Sequence, residues 1–565
     1  MNAIKKIFLT ERSYLAVCIL LGAIQAWLFR YTMISDGVSY LDIADAYLRR
    51  DWHAALNGYW SPLYSWCLGL ALFLLKPSIW WEFITVHAVN FILYIAALFC
   101  FRFFLHSVLR AIQEDSPSDD SLPLSDELLL PLGYSVFLWA SLILIEVGRV
   151  TPDMLVAALF FLIAGLLVQL RLQSSYGKFA LFGALCGVAY LGKGVMFPLG
   201  VCLLALLLFS GKITPSRFSG VLLAALAFLI VSSPFILALS HAKGRLTFGD
   251  TGRIAYAAMV SPGTPLIHWQ GDPAGSGTPA HPTRKLMDDP PVFEFAAPIQ
   301  GAYPPWDDPS YWNEGMKSTF HLRSQLRVLL FGLLSYERFL LVESGLVAGL
   351  LVFLFLGGKP TLRAIAEQWP LILAAALSLG AYALVLVVNR YVGASMVLLF
   401  VAIFAGIRLP KGPNTDSAVK DSAARYLTAA IVLSVLFTVA GHLVENAYTT
   451  LTVTEDAPAK DQIKAALALQ NLGLQAGDKV SVIGYGYLDH WARAGRFKII
   501  AEVASPGLPA RSFWASSPDR RDAAYASLSR TGAKAVIAWD PPQIALDSRW
   551  VRLSTTNYYA YFFHK

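Results

Sequence analysis

Asp36 opens the first polar stretch after an apolar run, in Ser35-Asp36-Gly37-Val38-Ser39-Tyr40-Leu41-Asp42-Ile43-Ala44, and Asp153, Lys193 and Arg390 each stand at the edge of a later apolar run. An aspartate at such an edge can hold a negative charge at the water boundary, beside the polar end of a lipid-borne substrate. Three of these residues also have a plainer use, and Arg390 can be a boundary residue. Asp36 before a helix serves as an N-cap, Asp153 after Pro152 serves as an acid in a helical first turn, and Lys193 can snorkel to an interface. The choice turns on whether the chain gathers them on one face of one membrane.

Composition supplies the membrane. The chain has 565 residues, 56% hydrophobic and 15% charged, with a mean hydropathy of +0.53, which is too apolar and too poor in charge for a soluble protein of this size. A net charge of +7 could point to nucleic acid. The basic residues instead fall in short loops between apolar runs, as orientation signals and lipid phosphate contacts do, so nucleic acid is discounted. Cys18, Cys67, Cys100, Cys186 and Cys202 sit inside apolar runs without the paired spacing of a metal or redox site. His53 and His268 have no partners at ligand spacing, so no protein metal site is predicted.

The elements that position the four charged residues follow from the apolar pattern. Residues 14–29 follow Lys5, Lys6 and Arg12 and read as an uncleaved anchor with a cytoplasmic N-terminus, which carries Asp36 to the outer face. After Asp36, Tyr40, Ile43, Ala44, Tyr47 and Leu48 recur at helical spacing and predict a helix lying flat in the interface. Residues 63–75 are short for a span and lie between Pro62 and Pro77, which predicts a second interfacial or half-inserted helix. Spans at 83–105, 128–145, 154–170, 179–191, 195–209, 218–239, 339–356, 369–388, 392–407 and 426–444 bring the total to about eleven, at about twenty residues each. With that count Arg171, Lys178, Lys212, Arg217, Lys359, Arg363, Arg408 and Lys411 fall inside. Asp36, Asp153, Lys193 and Arg390 share the outer face with the loops near 30–82 and 241–325.

The expected fold class is mainly α. A multi-pass transmembrane domain spans 1–445, with interfacial helices in its first outer loop. A small soluble α/β domain at 446–565 lies on the outer side, with strands at 479–483, 498–503, 535–539 and 558–563 and helices at 461–470 and 521–529. Gly484-Tyr485-Gly486 lacks the third glycine of a dinucleotide loop and reads as a turn. The long outer loop mixes turn residues with aromatics, among them Trp269 and Trp306. Such rings suit the apolar faces of sugars, and equally suit packing on the membrane domain.

Taken in order, several short motifs resemble the GT-C superfamily of membrane glycosyltransferases, in particular the protein O-mannosyltransferases, the aminoarabinose transferases that modify lipid A, and bacterial relatives that use polyprenyl-phosphate sugars. The motifs are Asp36 with Tyr40 and Ile43-Ala44, Asp51-Trp52, Tyr59-Trp60-Ser61-Pro62-Leu63, Thr151-Pro152-Asp153, Lys193-Gly194 and Arg390-Tyr391. Two positions depart from it. Gly37 stands where many relatives carry a second acid, and Ser61-Pro62-Leu63 stands where the aminoarabinose transferases carry a Lys before Pro-Pro.

The resemblance implies an enzyme of the cytoplasmic membrane that moves a sugar from a polyprenyl phosphate to a hydroxyl of a lipid, glycan or protein acceptor on the outer side. It implies Asp36 as general base, with Asp153 beside it. Lys193, Arg390 and Arg149 are the candidate cations for the departing phosphate, and inversion would follow from a single displacement. Tyr40, Tyr59, Trp60, Trp269 and Trp306 are the candidate substrate contacts. No cofactor is required, and a divalent ion on the lipid phosphate is left open. The competing reading is a transporter or flippase of lipid-linked sugars, which would favour ionisable groups near the bilayer midplane and broken helices repeated in two halves. No convincing internal repeat is found in the chain.

Overall fold

The computed structural model describes residues 10–114, 121–261, 263–410, 415–452, 458–505 and 510–563. Lys5, Lys6 and Lys411, used above for orientation, lie outside the described residues. The first helices are α1 (Glu11–Leu28), α2 (Ser35–Leu48), α3 (Pro62–Leu75) and α4 (Ile79–Glu114). Then come α5 (Asp126–Trp139), α6 (Asp153–Leu172), α7 (Tyr176–Gly192), α8 (Met196–Phe209) and α9 (Pro215–Lys243). The second half of the membrane domain adds α10 (Leu322–Val342), α11 (Ser344–Glu367), α12 (Trp369–Ala383), α13 (Asn389–Ala405) and α14 (Thr415–Thr452).

Among the described residues six helices are long and apolar enough to cross a membrane, and the shorter apolar helices α3, α7, α8, α12 and α13 accompany them. One continuous apolar core joins α1 and α4 through α9 to α11 through α14. Helices α7 and α9 pack backbone to backbone at Gly183, where an added Cβ would lie 1.8 Å from the Ala224 carbonyl oxygen. Only glycine lets two helix backbones meet at that distance. Helices α2 and α3 run side by side: the Ser65 hydroxyl donates to the Tyr40 carbonyl at 2.9 Å, and Gly69 packs on Ala44.

Three features depart from the expected pattern or sharpen it. The span expected at 339–356 begins instead at Ser344, after a break at buried Glu343, and α10 precedes it. Arg323, Arg327, Glu337 and Arg338 interrupt the apolar residues of α10, so no continuous run marks it. Helix α5 passes into a π-helical turn, Ala140–Ile145, and ends at Glu146 with φ +62°.

The long loop near 241–325 also contributes two strands to the sheet of the tail. Strand β1 (Ser121–Pro123) pairs with β4 (Arg408–Pro410) away from the other strands. Strands β2 (Arg284–Asp288) and β3 (Pro291–Glu294) come from the loop, and β5 (Lys479–Ile483), β6 (Lys498–Val503), β7 (Ala535–Trp539), β8 (Trp550–Arg552) and β9 (Tyr558–Phe562) from the tail. They form one seven-stranded sheet in the order β2-β3-β6-β5-β7-β9-β8. The central β6, β5 and β7 are parallel, and loop strand β3 lies antiparallel to β6 with Val292 opposite Val503. Loop and tail therefore form one extramembrane body.

Candidate active site

Four helix ends bring the charged residues together. Asp36 lies in the first turn of α2, Asp153 begins α6, Lys193 follows the last residue of α7, and Arg390 is in the first turn of α13. Arg390 Nη2 donates to Asp36 Oδ2 at 2.7 Å, and its Nε lies 3.6 Å from Asp153 Oδ2. Lys193 Nζ donates to Asp153 Oδ1 at 2.6 Å. The four side chains are 3–19% exposed, so they form a partly desolvated row of alternating charge that sums to zero.

The cations are further held by rings. Lys193 Nζ sits 3.4 Å from the centre of the Tyr391 ring and 5.5 Å from that of Tyr382, and these two rings stack at 5.2 Å. Cation–π contact of this kind favours the charged form when desolvated. Burial nevertheless pushes the Lys193 ammonium below its usual range, with Asp153 holding it up. Burial raises the Tyr40 phenol, and the charges of Asp36 and Asp153 add to that effect. Tyr40 therefore stays protonated beside them.

Asp153 follows an irregular turn that two buried amides secure. Gln25, fully buried in α1, donates to the Leu142 carbonyl at 2.7 Å and accepts from the Val147 N–H at 2.8 Å. Asn90 of α4 donates to the carbonyls of Val147 at 3.3 Å and Arg149 at 2.9 Å, and accepts from the Tyr64 hydroxyl at 2.6 Å. Backbone groups freed where the helix ends would be costly if left unpaired in a buried site. Sequence reasoning missed both residues. The signal was present, in an amide inside each of two apolar runs.

The aromatic candidates divide. Tyr59, Trp60 and Trp306 form a cluster with ring centres 4.7, 5.8 and 6.2 Å apart, which joins the segment between α2 and α3 to the long loop. Tyr40 packs edge-on to Trp60 at 5.2 Å. Tyr40 and Trp60 are buried, whereas Tyr59 and Trp306 are half-buried. Trp269 is not among them. It is fully buried in a separate small core with Ala257 and Met316, and its indole donates to Ser276 Oγ at 3.0 Å.

Arg149 also departs from expectation. Its guanidinium bonds Glu146, three residues earlier, and Glu146 in turn lies 3.3 Å from His442. The positive-φ turn at Glu146 sets that acid beside Arg149, so the arginine is neutralised outside the row of four. His268 pairs with Glu502 at 2.6 Å, bonds Thr283 at 3.0 Å and stacks on Phe293 within the extramembrane body. Among the described residues no group of three or more His, Cys, Asp or Glu is placed to hold a metal ion.

The fold is shared with known structures. ArnT from Cupriavidus metallidurans in the apo state superposes with a TM-score of 0.53 at 12% identity, covering 98% of each chain. The same protein bound to undecaprenyl phosphate gives the same TM-score and identity over 97% of each. An oligosaccharyltransferase from Archaeoglobus fulgidus, tethered to an acceptor peptide, aligns with a TM-score of 0.44 at 11% identity, over 94% of this chain and 69% of that one. No family model and no curated protein matches the sequence. The likeness to ArnT shows that the chain has the fold of that protein.

Proposed function

We propose that this GT-C-fold chain is an integral membrane glycosyltransferase. It moves a sugar from a polyprenyl-phosphate donor to an acceptor hydroxyl at the outer side of the cytoplasmic membrane. One observation carries the reading: Asp36, Arg390, Asp153 and Lys193, separated by up to 354 positions in the chain, meet in one continuous row of contacts. A hydroxyl attacking the anomeric carbon must lose its proton, and Asp36 is the carboxylate we assign to take it, a contribution of roughly two to four orders of magnitude. The bond from the anomeric carbon to the phosphate oxygen breaks in the same step, and its electron pair leaves with the phosphate. A single displacement of this kind inverts the anomeric centre.

Lys193 and Arg390 supply the fixed positive charge that receives the departing phosphate. Asp153 orients both, because its two oxygens face the two cations. A divalent ion brought by the donor phosphate would add charge from the substrate side; here both carboxylates already face side-chain cations. Likeness to a protein whose structure holds undecaprenyl phosphate agrees with a polyprenyl phosphate as donor. Tyr59 and Trp306 are the rings we assign to the sugar or acceptor.

The test is transfer of label from a polyprenyl-phosphate sugar in membranes. Asp36→Asn is expected to abolish product formation at normal expression, and full activity in that variant would remove Asp36 from the mechanism. A transporter or flippase would move the intact lipid-linked sugar without a new glycosidic bond, so product analysis separates that reading from this one.

A further inference from the structure

One side of α2 faces the charged row, and another is taken up by the extramembrane body. Ser35 Oγ donates to the Tyr487 carbonyl at 2.6 Å, and Ser39 Oγ donates to the Trp306 carbonyl at 2.8 Å. Asp42 Oδ2 accepts from the Ala302 N–H at 2.6 Å. Positions 35, 39 and 42 repeat at four and three residues, so they form one stripe along the helix. The stripe is thus bonded to both halves of the outer body, the long loop and the tail.

At the end of the stripe lies Arg493 of the tail, 1% exposed. Its Nη1 donates to Asp42 and to Asp45, each at 2.7 Å, and its Nε donates to Glu82 at 2.9 Å. Arg496 donates to Asp45 at 2.7 Å and to Glu82 at 2.5 Å. Burial works against charge on Arg493, and the carboxylates of Glu82, Asp45 and Asp42 outweigh it. Glu82 belongs to the first turn of α4. One guanidinium therefore ties α2 to α4 through the tail.

We infer that Arg493 is a positioning residue for the proposed transfer: by fixing the rotation of α2 about its axis it holds Asp36 against Arg390, which makes the extramembrane body a working part of the site. The size of the effect follows from helix geometry. A side-chain tip lies about 5–6 Å from a helix axis, so a rotation of about 10° moves the Asp36 carboxylate by about 1 Å. Misplacement on that scale costs about 100-fold in rate. Among the described residues Asp36 has one cationic partner within bonding distance, Arg390, which holds it at one point and leaves rotation of the helix to the stripe.

The inference rests on Asp36 acting as base, and the experiment separates the two. In the full-length protein in membranes, Arg493→Gln is expected to lower kcat per folded molecule by 10- to 100-fold while the KM for the polyprenyl-phosphate sugar stays within about twofold. Arg493→Lys, which keeps the charge, is expected to recover most of that loss. A merely structural role predicts less folded protein with kcat and KM unchanged, and that result overturns the inference. An active Arg493→Gln with an inactive Asp36→Asn overturns it too, leaving the function standing; an active Asp36→Asn takes both away. Should Arg493→Gln not accumulate, Ser35→Ala with Ser39→Ala removes two tethers without leaving a buried charge. Those serine changes are expected to lower kcat about tenfold, and a wild-type kcat there overturns the inference as well.

Discussion

Arg390 contacts two carboxylates at once, and replacing it with lysine isolates what that bridge contributes. Its guanidinium reaches Asp36 at 2.7 Å from one nitrogen and Asp153 at 3.6 Å from another. A lysine ammonium is a point charge without the planar fork, so Arg390→Lys keeps the charge and cannot hold the hydrogen bond to Asp36 while also standing beside Asp153. A hydrogen bond to a charged group is worth about 1.5–3 kcal/mol, and each 1.4 kcal/mol is about tenfold in rate. Arg390→Lys should therefore lower kcat/KM by about 10- to 150-fold. Arg390→Gln, which also removes the charge offered to the leaving phosphate, should fall further. The assay follows label leaving a polyprenyl-phosphate sugar in detergent-solubilised protein, with thermal melting recorded alongside. A lysine variant within twofold of wild type refutes the bridge, and a glutamine variant no worse than lysine refutes the role of charge.

Two further outcomes follow from buried groups away from the row. Asn90→Leu leaves the Val147 carbonyl and the Tyr64 hydroxyl without the bonds they now make, at about 1–3 kcal/mol for each unpaired group, while the Arg149 carbonyl loses one of two bonds and keeps the Thr151 N–H. It should lower the melting temperature and, by loosening the turn before Asp153, reduce transfer at least tenfold; wild-type values for both would refute the assignment. In the extramembrane body, burial pushes Asp489 up to about 7, against a hydrogen bond from Trp491 that lowers it. A carboxyl that binds its proton more tightly when folded contributes fully below the ordinary value of 3.8, and that contribution is lost as pH rises through about 7. Asp489→Asn should therefore flatten the fall in melting temperature between pH 5 and 8, and an unchanged slope counts against it.

Much of this arrangement is legible in the sequence, because membrane spans announce themselves by length and apolarity. The same counting brought Asp36, Asp153, Lys193 and Arg390 to one face, and the structure joins them by direct contacts. What stayed hidden depends on contacts distant in sequence. The neutralisation of Arg149 depends on a positive-φ residue at Glu146, which no local pattern signals. Trp269 looked like a sugar platform because an exposed and a buried tryptophan read alike in one dimension. Strands β2 and β3 were invisible because the pair is held by β6, some two hundred positions later in the tail, through β3 alone, and short strands in a turn-rich loop have little period of their own.

The sidedness of the whole site hangs on α3. Its 14 residues reach about 21 Å at 1.5 Å per residue, short of a hydrocarbon core of about 30 Å. Length alone leaves a crossing of a locally thinned bilayer open, so the contacts at its two ends decide. Before α3, Asn57 donates to the Asp307 carbonyl and Trp60 to the Trp306 carbonyl, both in the long outer loop. After it, Glu82 accepts from Arg493 and Arg496 of the tail. Loop and tail share one sheet, and one body cannot stand on both sides of a membrane. Helix α3 therefore enters and leaves on the same side, as α2 does beside it, and every later helix end keeps the parity that sets Asp153, Lys193 and Arg390 on the same side as Asp36.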